Sequence, residues 1–233
     1  SKWALHSYRR QKNQASNVIA SHADPQWQAV ENGARFQFKH EVGSSPGLFL
    51  DQRHQRRWIK NNCQGKSLLN LFAYTCGFGL AALSGGASRA VNIDASRKVL
   101  DWGTENYQLN GLNPSGHDFI SGDVFEWLLR FKKKNEKFDF VIVDPPGFST
   151  SKTRRFSAAR NYSELVSLVE PLIQKNGTLL AMCNVADISQ KEFGALVSAG
   201  LQLRTHQIQK PFGASPTDCS QRSSLKCLAV TLD

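Results

Sequence analysis

The chain has no apolar run near the ~18 residues that a membrane-crossing helix needs, and no secretory leader pattern at its start. Its cysteines are few and irregular. Cys63, Cys76, Cys183, Cys219 and Cys227 form neither a disulfide framework nor a zinc-ligand pattern, which suits a reducing, cytoplasmic setting. The histidines include no i, i+4 pair, so no metal centre is expected. Carboxylates are scarce too: 19 Asp and Glu stand against 29 Lys and Arg, giving a formal net charge of +10 and an isoelectric point near 9.6. That imbalance points to a polyanion as partner. There is no internal repeat and no low-complexity tract.

What the chain does have is a regular alternation of short apolar runs and helical stretches. With 233 residues and 40% apolar content it can bury one α/β core and a small appendage. Ser67–Phe72 (SLLNLF) reads as a buried parallel strand. It runs into Ala73-Tyr74-Thr75-Cys76-Gly77-Phe78-Gly79 and then the helix-like Leu80–Leu83. Two glycines ahead of a helix N-terminus let a ligand approach the backbone closely. A second strand, Ala90–Ile93, ends on Asp94, where an acid accepts hydrogen bonds from ribose hydroxyls. A third, His117–Ser121, leads into Gly122-Asp123-Val124.

The fourth strand, Phe138–Val143, feeds Asp144-Pro145-Pro146-Gly147-Phe148-Ser149-Thr150-Ser151-Lys152. Each proline fixes its own φ and restricts the residue before it, so the carbonyls there point in set directions. Such a ledge suits a flat heterocycle, with Phe148 as the stacking ring. Helices are expected near Arg97–Asn110, Val124–Lys134, Tyr162–Gln174 and Gln190–Ala199. The order predicts an α/β fold: a doubly wound sheet with helices on both faces and ligands at its C-terminal edge.

Gly77-Phe78-Gly79-Leu80-Ala81-Ala82 formally fits the dinucleotide fingerprint G-x-G-x-x-A. In that fingerprint the first glycine follows the strand almost at once; here four residues intervene, Tyr74 among them, leaving a wider loop. A proline ledge is also no part of hydride-transfer apparatus. A nicotinamide-dependent oxidoreductase stays open as a rival reading.

Taken in order, these segments resemble the class I S-adenosylmethionine-dependent methyltransferases. The likeness is to the large-subunit rRNA base methyltransferases that act on guanine N7 or cytosine C5. It runs from about Glu31 to the C-terminus. It rests on Gly47-Leu48-Phe49-Leu50-Asp51-Gln52-Arg53, on Asn70–Thr75 before Gly77, on Asp94, on Glu105-Asn106 with Leu109-Asn110-Gly111, on Asp123 and on the proline ledge. The resemblance implies a Rossmann-like sheet and S-adenosylmethionine as cofactor. Its binding residues would be Gln52, Arg53, Phe72, Tyr74, Thr75, Cys76, Gly77, Asp94, Ala95, Asp123, Val124 and Asp144. Asp94 would take the ribose, Asp123 the adenine amino group, and Gln52, Arg53 and Asp144 the methionine end. Asp144, Pro145, Pro146 and Phe148 would face the acceptor base.

Two departures from the family matter. Cys76 stands where the family usually has glycine. Cytosine-C5 chemistry needs a thiolate that adds to the base, yet Asn184 occupies that cysteine's place, with Cys183 one residue early. A slip of one residue at a strand end turns the side chain to the other face. Guanine N7 is therefore favoured, and a cytosine-C5 enzyme using Cys183 is the alternative. Lys152, Arg154, Arg155 and Arg160, just past the ledge, are expected to hold RNA phosphates. Arg9, Arg10 and Lys12 cluster near the start, whereas Lys132-Lys133-Lys134 reads as a solvated helix end.

Residues 1–62 read as an N-terminal extension and 63–233 as the methyltransferase domain. Trp3–Ile19 is expected to be a basic amphipathic helix, and Gln26–Val30 with Arg35–Glu41 a β-hairpin around Asn32-Gly33. A strand at Leu48–Leu50 and a helix near Gln52–Asn61 follow. The family often carries an extra N-terminal RNA-binding domain, for which the chain has no room, so RNA capture is expected to rest on the core, the hairpin or a partner. A non-catalytic RNA-binding or assembly protein remains the second rival.

Overall fold

A computed structural model describes residues 26–39, 45–113, 118–150, 155–209, 212 and 224–233. The expected Trp3–Ile19 helix, Arg9, Arg10, Lys12, His117, Lys152, Arg154 and Cys219 lie outside the described residues. The hairpin forms as expected: β1 (Gln26–Glu31) and β2 (Ala34–Lys39) pair antiparallel across Asn32 and Gly33, at φ +52° and +82°. Positive φ at both central positions is what a tight right-twisted hairpin requires.

Helix α1 (Arg53–Asn62) leads to β3 (Ser67–Leu71), α2 (Gly77–Ser84), β4 (Arg89–Asp94), α3 (Arg97–Leu109), β5 (Phe119–Ser121), α4 (Val124–Lys133) and β6 (Phe138–Val143). A short antiparallel pair, β7 (Phe148–Thr150) and β8 (Arg155–Ser157), precedes α5 (Ala158–Val169), β9 (Ile173–Cys183), α6 (Gln190–Gly200), β10 (His206–Gln209) and β11 (Lys226–Leu232). The seven-stranded sheet runs β10-β11-β9-β6-β3-β4-β5. Strands β5, β4, β3, β6 and β9 are parallel; β11 and β10 close the other side antiparallel.

Successive residues of a strand face opposite sides, and β6 shows it. Val141 and Val143 join the apolar layer under α4, α5 and α6, while Phe140 and Ile142 join the layer that carries Ile59 of α1 and Phe78 and Ala82 of α2. Helices thus cover both faces, as the alternation of elements predicted. Among the described residues no helix is long and apolar enough to cross a membrane.

The hairpin is fastened to α3 by side chains acting as a substitute strand. Asn110 accepts from Arg35 N–H (2.8 Å) and donates to Arg35 O (2.7 Å); Asn106 accepts from Gln37 N–H (2.9 Å); Trp102 donates to Gln37 O (2.8 Å). These are residues of the Glu105-Asn106…Asn110 segment and the turn before it, and this is their structural work.

Two expectations need correction. Leu48–Leu50 is not a strand: Leu48 and Phe49 are irregular and Leu50–Gln52 is a 3-10 turn into α1. Carbonyls here are met by side chains instead of a neighbouring strand, with Thr75 Oγ1 donating to Gly47 O just before the segment (2.5 Å) and Arg56 Nη2 to Phe49 O within it (2.9 Å). The helix expected at Tyr162–Gln174 lies at Ala158–Val169, followed by a 3-10 turn at Glu170–Leu172 and by β9. Pro171 accounts for the early end, since it lacks an N–H and disfavours helical backbone just before it.

Candidate active site

The parallel strands deliver their last residues to one edge, and a cavity of about 420 Å3 opens there. From the sequence-derived set, Gln52, Phe72, Tyr74, Thr75, Gly77, Asp94, Ala95, Asp123, Val124, Asp144, Pro145 and Pro146 all line it. Asp94 ends β4 and is held from both sides, Oδ2 accepting from Tyr74 N–H and Oδ1 from Ser96 N–H, each at 2.9 Å. Burial raises its carboxyl above the ordinary value, against the pull of the Ser96, Tyr74 and Ala95 N–H groups. The cap position of α3 is Ser96, so Asp94 is not that helix's cap. Asp123, in contrast, does cap α4: Oδ1 accepts from Phe125 N–H (2.8 Å) and Glu126 N–H (3.4 Å). It still reaches the cavity wall.

Asp144 follows β6 directly and accepts a hydrogen bond on Oδ2 from Gln52 Nε2 (2.5 Å). Burial pushes its carboxyl up to about 6; the Gln52 amide opposes this, the charge of Asp51 adds to it, and Arg56 opposes it. Tyr162 fixes the strand ends beneath, its hydroxyl 2.9 Å from Met182 O and 3.1 Å from Val143 O. The ledge itself is tied down by Ala158 N–H donating to Gly147 O (3.0 Å).

The glycines have packing reasons. A Cβ on Gly79 would lie 2.4 Å from Asn92 Oδ1 and from Tyr107 Oη, so α2 can sit on β4 and α3 only without one. A Cβ on Gly77 would lie 2.9 Å from Leu48 Cδ1.

Three expected residues are absent from the wall. Arg53 turns to the hairpin, its Nε 3.5 Å from Glu31 Oε2. One turn on from Gln52, Arg56 takes the cavity place: it is 2% exposed and donates to both Glu31 oxygens, at 2.6 Å and 2.8 Å. Cys76 is wholly buried and points away, its Sγ against the space left by Gly103. Its φ of +62° explains why glycine suits this position. Phe148 is 65% exposed and outside the wall; the alternation of the β7–β8 pair gives the inward place to Phe156, packed against Phe72 and Phe125.

Asn184 lines the cavity, with its Oδ1 accepting from Ser224 Oγ (2.5 Å). Cys183 is 1% exposed in the core, where burial raises its thiol pKa. Cys183 thus does not line the cavity. Arg155 pairs with Thr150, a wall residue, and is exposed, as is Arg160 in the first turn of α5.

An acid at the end of β4, a second acid on a proline ledge and a wide loop before α2 thus meet at one edge of the sheet, the arrangement expected of a class I methyltransferase. Residues 2–198 match the family described as S-adenosylmethionine-dependent methyltransferase, and the chain belongs to that family. The ribosomal RNA large subunit methyltransferase I of Aeromonas salmonicida is 38% identical over 168 residues, 72% of this chain and 42% of that protein. The K/L methyltransferase of Psychrobacter arcticus is 36% identical over 71% of this chain and 24% of its own. The chain thus spans about two fifths or less of these relatives. The crystal structure of "SMU.776, a putative methyltransferase complexed with SAH" superposes with a TM-score of 0.84 at 27% identity, covering 92% of this chain and 58% of that one.

The family's cofactor, S-adenosylmethionine, fits this donor set. A carboxylate raised by burial on a cavity wall favours a cationic group beside it. Asp94 lines the same cavity, whose volume lies within the roughly 300–1,000 Å3 typical of small-molecule sites.

Proposed function

We propose that the protein methylates a base of large-subunit ribosomal RNA, with guanine N7 the favoured atom. The observation that carries the choice of atom is the wall at the end of β9, which presents Asn184 and buries Cys183. A ring nitrogen with a free lone pair needs alignment and no covalent nucleophile. The RNA reading is supported by the relatives' names and by the net charge of +10.

In this reading Asp94 holds the ribose hydroxyls and Asp123 offers Oδ2 to the adenine amino group. Asp144, steadied by Gln52, receives the methionine ammonium. When bound, the cofactor supplies an activated sulfonium methyl group. Pro145 and Pro146 form the rigid rim against which the base is set, and Asn184 meets its polar edge. Arg155 and Arg160, with Lys152 and Arg154 in the same stretch of sequence, hold phosphates. N7 carries no proton, so no general base is required.

The test is transfer of tritium from labelled S-adenosylmethionine to total rRNA, followed by nucleoside mass mapping. Label in 7-methylguanosine, absent with Asp144→Ala, is expected. Label in 5-methylcytidine refutes the choice of atom, and no label in RNA refutes the function.

A further inference from the structure

A second cavity, of about 640 Å3, adjoins the first and shares Leu48 with it. Its walls include Trp27 of the hairpin, Val30, Leu50 and, from α1, Arg53 and Arg57. Helix α1 is the partition. Gln52 and Arg56 lie one turn apart and face the first cavity; Arg53 and Arg57, one position further round, face the second. The rim is apolar and exposed: Val30 is 68%, Leu50 46% and Phe49, on the first cavity, 41% exposed. Apolar side chains of this size left in water beside arginines mark a binding surface.

The electrostatics favour an anion that also has a flat face. Glu31, the acid among the described residues of the second cavity, already bonds both oxygens to Arg56 and lies 3.5 Å from Arg53, so its charge is compensated. The guanidinium of Arg57 is exposed, yet its Nε donates to Asn32 Oδ1 (3.0 Å), which sets its plane in advance. Trp27 stacks on Phe38, ring centroids 5.4 Å apart and 13° from parallel, so its ring is held rigid in the wall. A pre-set cation beside a braced indole is how proteins hold single-stranded nucleic acid without reading its sequence.

We propose that this second cavity holds the nucleotide adjoining the target base in a single-stranded RNA, its base on Trp27 and its phosphate at Arg53 and Arg57. The inference rests on the RNA-methyltransferase reading above. It gives the hairpin a part in substrate capture, because the RNA strand crosses the first turn of α1, with the target base on one side of Leu48 and its neighbour on the other.

The experiment compares wild type with Trp27→Ala, Trp27→Phe and Arg57→Gln. Fluorescence anisotropy reads affinity for a labelled single-stranded RNA of about ten nucleotides, and calorimetry reads affinity for S-adenosylhomocysteine. Loss of one stacked base is expected to weaken RNA binding by Trp27→Ala at least about fivefold, with Trp27→Phe close to wild type and the nucleoside affinity unchanged. Arg57→Gln is expected to make the slope of log K against log salt shallower by about 0.7. If Trp27→Ala also loses the nucleoside, the hairpin has come loose and the Arg57→Gln slope decides; an unchanged slope then overturns the proposal. Wild-type RNA affinity in all three variants overturns it while the function stands, leaving the cavity to a protein partner. A wild type that neither binds RNA nor transfers methyl overturns both.

Discussion

Replacing Asp144 with asparagine separates what this carboxylate costs the fold from what it gives the ligand. Its carboxyl is raised from 3.8 to about 6, chiefly by burial. The folded state therefore holds the proton more tightly than the unfolded chain. Stability from this group is complete below pH 3.8 and is lost as pH rises through about 6. At pH 8 the ionised group costs roughly 3 kcal/mol at most, and contact with water at the cavity mouth trims this to about 1–2 kcal/mol. The substituted asparagine keeps an oxygen for the Gln52 amide and carries no charge. Thermal unfolding of ligand-free Asp144→Asn at pH 8 should give a midpoint about 2–8 °C above wild type. The gap should close as pH approaches 4. In wild type, S-adenosylhomocysteine should raise the midpoint at pH 8, less so below pH 6 where Asp144 is protonated; in the variant this shift should be abolished. A variant less stable than wild type at pH 8, or a gap independent of pH, would refute the burial argument. Retained ligand stabilisation would refute the assignment of Asp144 to the ammonium.

Other consequences are equally direct. Cys183→Ser should keep methyl transfer and lose about 1–2 kcal/mol in urea unfolding, since a hydroxyl replaces a buried thiol; abolished transfer with an intact fold would restore the thiol mechanism. Gly79→Ala should destabilise by about 1–3 kcal/mol, because its methyl lands on Asn92 and Tyr107, and a neutral result in denaturant titration would contradict the packing. Glu31→Gln leaves Arg56 buried with a neutral partner and should cost about 3 kcal/mol, together with a weaker nucleoside affinity by calorimetry. Asn184→Ala should lower kcat/KM for RNA and leave nucleoside affinity intact.

The sheet was legible because parallel strands buried on both faces are written as continuous apolar runs. Phe138–Val143 emerged with those bounds and the three other expected strands shifted by a residue or two, while no bounds were foreseen for β9, β10 and β11. The acids at strand ends were legible for the same reason, since topology brings Asp94, Asp123 and Asp144 to one edge whatever the loops do. Sequence does not say which stripe of α1 faces inward, because docking of the hairpin decides it; hence Arg53 was expected where Arg56 stands. Phe148 was expected in the wall, and Phe156 passed unnoticed, because nothing in the order of residues reveals that Phe148–Thr150 and Arg155–Ser157 pair. The strand expected at Leu48–Leu50 failed because Phe49 O is taken by Arg56 and by the Gln52 N–H of the turn, and Gly47 O just before it by Thr75.

Between β3 and α2, Phe72, Tyr74 and Cys76 each adopt a left-handed backbone, at φ of +56°, +48° and +62°. Each such residue costs about 1–2 kcal/mol, and a second branch at Cβ makes the conformation worse still. Ala73 and Thr75 sit between them at ordinary φ, and Thr75 alone in this stretch is branched. The stretch therefore has a built-in spelling rule. Branching at Cβ carries no such backbone penalty at position 75, where the Thr75 hydroxyl also holds Gly47 O, and is barred at 72, 74 and 76. Glycine would relieve the backbone at those three, at the expense of a looser chain before folding and, at 72 and 74, of the rings that pack there.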